Sequence, residues 1–349
     1  MIVVAGDPGG AAALAPVVAR LRESAGYVCE AWAYRQAAEL WARRGLPFDR
    51  CPDRWADADI AARLAGADAL LTGTSAPNGE DCEKRAVVLA RGIGVPSISF
   101  VDFWSHFGRR FADAHGNLAY LPDRVAVIDE ACRDAFLALG LAAERVVVTG
   151  HPSFDDLLDA GARFSADDRR RLRASAGATD RDFLVLFASQ PENGIEPWRS
   201  LALLAQALAD PASGLGRPAM LAMRPHPKQR GRFAPPALPS ALRWSIQEEG
   251  DPLEAALSAD LVCGVATMLL VEAAMLGCAV LRIDLGSATG NPVSPLDGLP
   301  TATRLDELRD ALRKTAGECR RFPPRAHTHA PGGAVAALVA SVAKLCEPS

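Results

Sequence analysis

A chain of 349 residues is too long for one ordinary compact core and long enough for two domains of common size. Its 49% apolar and 23% charged residues are those of a globular protein, and a net charge of -4 offers no concentrated positive face, which excludes nucleic acid as a partner. No stretch reaches the roughly 18 uncharged apolar residues that a membrane span requires.

Residues 2–5 read as the first strand, and Gly6-Asp7-Pro8-Gly9-Gly10 leads from it into a helix beginning near Ala11. Glycines such as Gly9 and Gly10 let a backbone approach a ligand closely, and a helix start offers unpaired N–H groups to an anion. The loop is not GxGxxG, so the dinucleotide fingerprint is absent. A tight βα turn also accounts for it, but Asp7 at a strand end is a carboxylate able to take a proton from a hydroxyl. Further strands are expected at 28–33, 69–72, 97–101, 124–128 and 145–149, each bounded by Gly, Pro or Asp and separated by amphipathic stretches. Near-continuous hydrophobicity in these runs predicts a parallel sheet with helices on both faces.

Between them, Asp57-Ala58-Asp59 has the DxD spacing of metal-dependent sugar transferases but lies in a polar stretch, where a solvated helix start explains it. Directly after the strand SISFV comes Asp102-Phe103-Trp104-Ser105-His106-Phe107-Gly108-Arg109-Arg110. Asp102 or His106 is a candidate base, Trp104 a candidate sugar platform and Arg109 a candidate anion contact; the competing reading is aromatic packing under a loop with solvated arginines.

After Gly150 the chain turns polar and helical in period, without a strand signal. Domains are therefore expected at 1–160 and 161–331, with 332–349 as a terminal helix. The second half supplies strands at 183–188, 219–223, 243–246, 261–264 and 279–283. Ser189 and Gln190 follow the first of these. After the second, Arg224-Pro225-His226-Pro227-Lys228 places three cationic side chain types on a Pro-stiffened backbone, where they can converge on a diphosphate. After 261–264, Val265, Ala266, Thr267 and Met268 open a helix whose free N–H groups can face a phosphate, and Glu272 can accept ribose hydroxyls. A paired helix glutamate is the bland alternative. His327 and His329 lack a third ligand, and there is no GxSxG elbow or P-loop. The 8 cysteines are scattered without CxxC or zinc-like spacing, and no basic region precedes the first apolar run, which together predict a cytoplasmic protein with reduced thiols.

The segments GDPGG, VVVTGHPSFDDL, RPHPK and GVATMLLVEAAMLGCAVLRID, in this order, resemble the GT-B superfamily of nucleotide-sugar enzymes, especially bacterial envelope glycosyltransferases and the related non-hydrolysing UDP-N-acetylglucosamine 2-epimerases. The resemblance covers nearly the whole chain and implies an α/β fold of two doubly wound, Rossmann-like domains facing a cleft. It further implies that Glu272 binds ribose, that Val265 to Met268 meet the donor phosphates, that His226 faces the diphosphate, that Ser189 and Gln190 line the donor pocket and that Gly9 and Gly10 contact donor or acceptor. LLTGTSAPNG lacks the Asp that epimerases place after this strand, and VDFWSHFGRRF does not reproduce their His-Glu-Ala-Gly stretch; the transferases' loop histidine is also replaced by alanine.

The reading that follows is a metal-independent glycosyltransferase using a nucleotide-sugar as co-substrate, a UDP-sugar foremost, with no other cofactor. Arg224, His226, Lys228 and the helix start at Thr267 would neutralise the leaving diphosphate. Asp7, Asp102 and His106 are the candidate catalytic groups, and the acceptor is a small molecule or glycan, in envelope or secondary-metabolite glycosylation by a monomer or homodimer. The alternative is a 2-epimerase or hydrolase of the UDP-N-acetylglucosamine 2-epimerase type; a third reading is a nucleotide-sugar-binding protein without turnover.

Overall fold

The computed structural model describes residues 1–24, 26–51, 55–75, 81–191, 197–286, 295–317 and 333–346. The chain divides into two compact units, Met1–Asp156 with Pro331–Ser349, and Leu157–Ala330.

In the first unit the elements alternate as β1 (Ile2–Ala5), α1 (Pro8–Glu23), β2 (Glu30–Ala33), α2 (Arg35–Arg43), β3 (Asp49–Arg50), α3 (Asp57–Leu64), β4 (Leu70–Thr72), α4 (Cys82–Gly92), β5 (Ser97–Phe100), β6 (Arg124–Val127), α5 (Glu130–Ala138) and β7 (Val146–Val148). Among the described residues these strands form one seven-stranded parallel sheet in the order β3-β2-β1-β4-β5-β6-β7. β1 and β5 are buried at every position, as strands covered by helices on both faces must be. Ile2, Val4, Trp32, Tyr34, Ile60, Leu64 and Leu70 pack into one core with Ala86 and Val87. The order reverses at β1, with β2 and β3 on one side and β4 to β7 on the other. The crevice past the ends of β1 and β4 is therefore the switch point at which an open α/β sheet binds ligands.

The second unit runs α6 (Leu157–Arg163), α7 (Ala166–Ser175), β8 (Phe183–Ala188), α8 (Pro197–Ala209), β9 (Ala219–Arg224), β10 (Arg243–Ile246), α9 (Pro252–Ser258), β11 (Leu261–Gly264), α10 (Met268–Met275), β12 (Val280–Ile283), β13 (Thr301–Ala302) and α11 (Leu305–Gly317). Its described strands form a six-stranded parallel sheet, β10-β9-β8-β11-β12-β13, with the switch point between β8 and β11. Buried Phe183, Val185, Phe187, Leu221 and Met223 pack against Leu201, Leu204 and Leu208 of α8. Arg173 of α7, 1% exposed, ties this unit together: its guanidinium meets Asp260 at 3.1 Å and donates to the carbonyls of Ser258, Thr179 and Asp182.

Last comes α12 (Ala334–Ala343), which belongs to the first unit and contacts α1. Its start is capped by Asp155, whose carboxylate accepts from the N–H groups of Ala334 and Val335 at 3.0 and 2.8 Å. The two doubly wound sheets are the fold class the sequence predicts, and all eleven expected strands recur, some shortened by a residue or two. The pattern misses β3 and β13, edge strands of two residues each, too short to carry a period. His327 and His329 lie outside the described residues. Among the described residues no helix is long and apolar enough to cross a membrane.

Candidate functional site

Each switch point is lined by loops that the sequence singles out. In the second unit, the Ala266 N–H after β11 donates to Gln190 Oε1 at 2.7 Å, so the loops after β8 and β11 are joined across the crevice. On the other side Gln229 Nε2 donates to the Gln190 carbonyl at 2.9 Å, while Gln229 Oε1 accepts from the His226 N–H at 3.1 Å. Gln190 thus ties together the loops after β8, β9 and β11. Beside it, the Ser189 hydroxyl is buried with no hydrogen-bond partner among the described residues, although its backbone N–H is paired to Arg224. A native fold seldom strands a buried hydroxyl, which marks Ser189 as a candidate for a polar contact that the described residues do not supply.

His226 occupies the cap of a short 3-10 turn, and its Nδ1 accepts from the Lys228 N–H at 3.1 Å. Burial, aided by the Lys228 charge, pushes its pKa down to about 4. The ring is therefore neutral near pH 7, with its proton on Nε2, which makes it a hydrogen-bond donor rather than a cation. Arg224 is turned to a different task from the one its sequence context suggests. Its guanidinium donates to the carbonyls of Glu249, at 2.7 Å, and Gly250, so it braces the loop after β10. Lys228 is half-buried.

Thr267 caps α10, its hydroxyl accepting from the Leu269 N–H at 3.4 Å. Val265 is buried, whereas Ala266, Thr267 and Met268 are partly exposed at the helix start, and Glu272 is half-buried one turn further on. Gly264 leaves little room for a side chain, since a Cβ there would stand 3.1 Å from both the Ala188 carbonyl oxygen and the Thr267 methyl group.

In the first unit the glycine loop lies against the loop after β4 and the one after β5. A Cβ on Gly9 would fall 1.8 Å from Asp102 Oδ2, and one on Gly10 would stand 3.4 Å from the Gly73 Cα. Glycine is thus needed at position 9 for close approach of a carboxylate, not for a turn conformation. Asp102 Oδ1 is held by Arg110 at 2.6 Å, and the same guanidinium reaches the Thr74 carbonyl and hydroxyl at 3.0 and 2.7 Å. The buried arginine is therefore Arg110, while Arg109, the sequence candidate, is exposed. Trp104 is fully buried and its indole N–H donates to Asp129 Oδ2 at 2.6 Å, so the packing alternative describes it and no ring face is offered to a sugar. His106 stands exposed at φ 59, a left-handed conformation unusual for a non-glycine residue, and partial burial with the Arg110 and Arg109 charges lowers its pKa. Asp7 sits at the cap position of α1 without capping it.

Two buried groups escaped the sequence reading. Glu83, 3% exposed, spans the crevice: Oε1 accepts from the Gly6 N–H at 3.0 Å and Oε2 from the Ser75 N–H at 2.6 Å. Burial, with the charges of Asp81 and Asp7, pushes its pKa well above the usual carboxylate range. It lines a small pocket with Thr74, Ser75, Lys84, Arg110 and Tyr120. His151 is the second. Its Nδ1 accepts from the Ser153 N–H, and its ring packs edge-on against Phe100 at the end of β5, two residues before Asp102. The one legible sign of Glu83 is the Asp81 cap two residues before it. Among the described residues no cluster of three or more His, Cys, Asp or Glu could hold a metal ion.

No family model matches the chain, and no curated protein matches it. Solved structures do share its fold. The UDP-GlcNAc 2-epimerase of Neisseria meningitidis bound to UDP-GlcNAc aligns over 98% of this chain and 99% of its own with a TM-score of 0.68 at 14% identity. The UDP-GlcNAc 2-epimerase of Methanocaldococcus jannaschii aligns over 98% and 99% with a TM-score of 0.67 at 11% identity. HepE of Anabaena in complex with UDP aligns over 99% and 95%, with a TM-score of 0.59 at 14% identity. The chain thus shares the fold of these solved structures.

Proposed function

We propose that the protein is a nucleotide-sugar enzyme of the UDP-N-acetylglucosamine 2-epimerase type, acting on the sugar of a bound UDP-sugar without a separate acceptor. The observation that carries this reading is the switch point of the second sheet. There an unpartnered buried hydroxyl (Ser189), a neutral imidazole donor (His226) and the start of α10 come from loops that Gln190 locks together. Such a set of fixed donors suits a diphosphate, whose charge it binds by hydrogen bonds and a helix N-terminus. Glu272 on α10 is the carboxylate for the ribose hydroxyls. Arg224 supports the site through the loop it braces, and Lys228 supplies the positive charge near His226.

The first unit carries the groups able to move a proton. Asp102 is fixed by Arg110 at one oxygen and set against Gly9 at the other, the better placed candidate; Asp7 and His106 are the others. The named neighbours in fold act on or bind UDP-sugars or UDP, which favours chemistry on the nucleotide-sugar itself. Glycosyl transfer to a hydroxyl acceptor is the second reading, favoured by the absence of the epimerase-type Asp at Gly73-Thr74. Titration calorimetry with UDP tests the binding site. Wild type should bind, and Glu272→Ala should bind at least about tenfold more weakly; equal affinities would remove Glu272 from the site.

A further inference from the structure

Outside the candidate sites, one pair of reactive side chains is brought together by the topology of the first unit. Cys51 directly follows β3 and Cys82 is the first residue of α4. Cys51 is held by the sheet, its N–H donating to the Ala33 carbonyl at 3.0 Å, one step beyond the last β2–β3 pair. Cys82 is held by its helix, whose start is capped by Asp81 accepting from the Lys84 N–H at 3.0 Å. With both backbones fixed independently, the two Sγ atoms stand 2.6 Å apart, closer than two non-bonded sulfurs rest and a little longer than a disulfide bond. The side chains are 1% and 3% exposed, and no rearrangement of the chain is needed to bring sulfur to sulfur.

We propose that Cys51 and Cys82 form a redox-modification site, a dithiol that closes reversibly to an intramolecular disulfide and thereby ties β3 to the start of α4. The two thiols give up two electrons and two protons to an oxidant of the small-disulfide class, such as oxidised glutathione, which leaves as two thiols. One cysteine attacks the reagent and displaces the first small thiol; the other attacks the resulting mixed disulfide and displaces the second. Access runs through β3, a two-residue edge strand exposed at both positions, because sheet edges open locally more easily than core strands. The neighbouring Cys51 thiol and burial push the Cys82 thiol up, so the pair rests protonated and oxidation is slow. The bond forms one residue before Glu83 and closes a span of 31 residues. This inference is independent of what the second unit binds.

The test uses the full chain incubated with oxidised glutathione, alkylated in guanidinium and digested without reductant. The expected product is the Cys51 peptide joined to the Cys82 peptide, lighter than their sum by about 2 Da and separated by reductant. Oxidation should also raise the wild-type Tm by about 5 °C, a shift missing in Cys51→Ser, or in Cys82→Ser should the first variant fail to fold. Recovery of Cys51 and Cys82 as separately alkylated or separately glutathionylated residues, with exposed Cys346 already oxidised as proof of reaction, overturns the proposal. So does a Tm shift that persists in both serine variants.

Discussion

His151 and His226 are neutral because the fold buries them, and this makes stability depend on pH in a defined direction. Burial pushes both down to about 4, whereas an imidazole in the unfolded chain titrates near 6.5. The unfolded state therefore binds protons first as pH falls. Stability contributed by each is complete above about pH 6.5 and is lost progressively towards pH 4, by about 3 kcal/mol per residue. Urea denaturation at pH 7 and pH 5 should show this loss, and His151→Gln should flatten it; an unaltered pH slope in that variant would contradict the assignment. Gly9 gives a sharper residue-scale prediction. Gly9→Ala places a methyl group on Asp102 Oδ2, so the carboxylate must move, and turnover should fall at least about tenfold with little change in UDP affinity if Asp102 serves the chemistry. A loss of UDP affinity instead would place the glycine loop at the nucleotide.

At the scale of elements, the loops are fixed by side chains that bridge them. Glu83 reaches from α4 to the N–H groups of Gly6 and Ser75. Glu83→Ala strands both donors in the interior and should destabilise the protein by about 2–4 kcal/mol. Glu83→Gln keeps one acceptor and should lose roughly half as much; equal losses would mean that packing, not hydrogen bonding, is the role of Glu83. Gln190 has the corresponding place in the second unit. Removal of its acceptor in Gln190→Ala frees the Ala266 N–H, and UDP affinity should fall about tenfold. Neither bridge was legible in the sequence. Glu83 lies 77 residues from Gly6 and Gln190 lies 76 from Ala266, and only the strand order brings such pairs together. Residues whose role is set by local chain chemistry were legible. Thr267 caps α10 as its position before an apolar run suggests, and RPHPK begins on the last residue of a strand and runs into the loop after it.

Over the whole molecule, hydrophobic runs and the loops between them were enough to read two doubly wound α/β units, because parallel strands buried on both faces announce themselves as continuous apolar segments. What composition hides is which polar side chain turns inward. Arg109 and Arg110 are identical in sequence terms, yet one is exposed and the other is buried on Asp102. Trp104 likewise reads as a sugar platform until its indole is found bound to Asp129. A thermal-shift screen against UDP, GDP, CMP and TDP sugars should single out one nucleotide, since a ligand that binds only the folded state raises Tm with its concentration. Chemistry on the nucleotide-sugar itself is tested by incubation of the protein with UDP-N-acetylglucosamine in D2O, without acceptor, followed by proton NMR of the sugar. A new nucleotide-sugar or free-sugar signal is expected, with deuterium at C2 where epimerisation occurs, and loss of this signal in Asp102→Asn. An unchanged UDP-sugar that is consumed only when a hydroxyl acceptor is added would contradict it and establish glycosyl transfer.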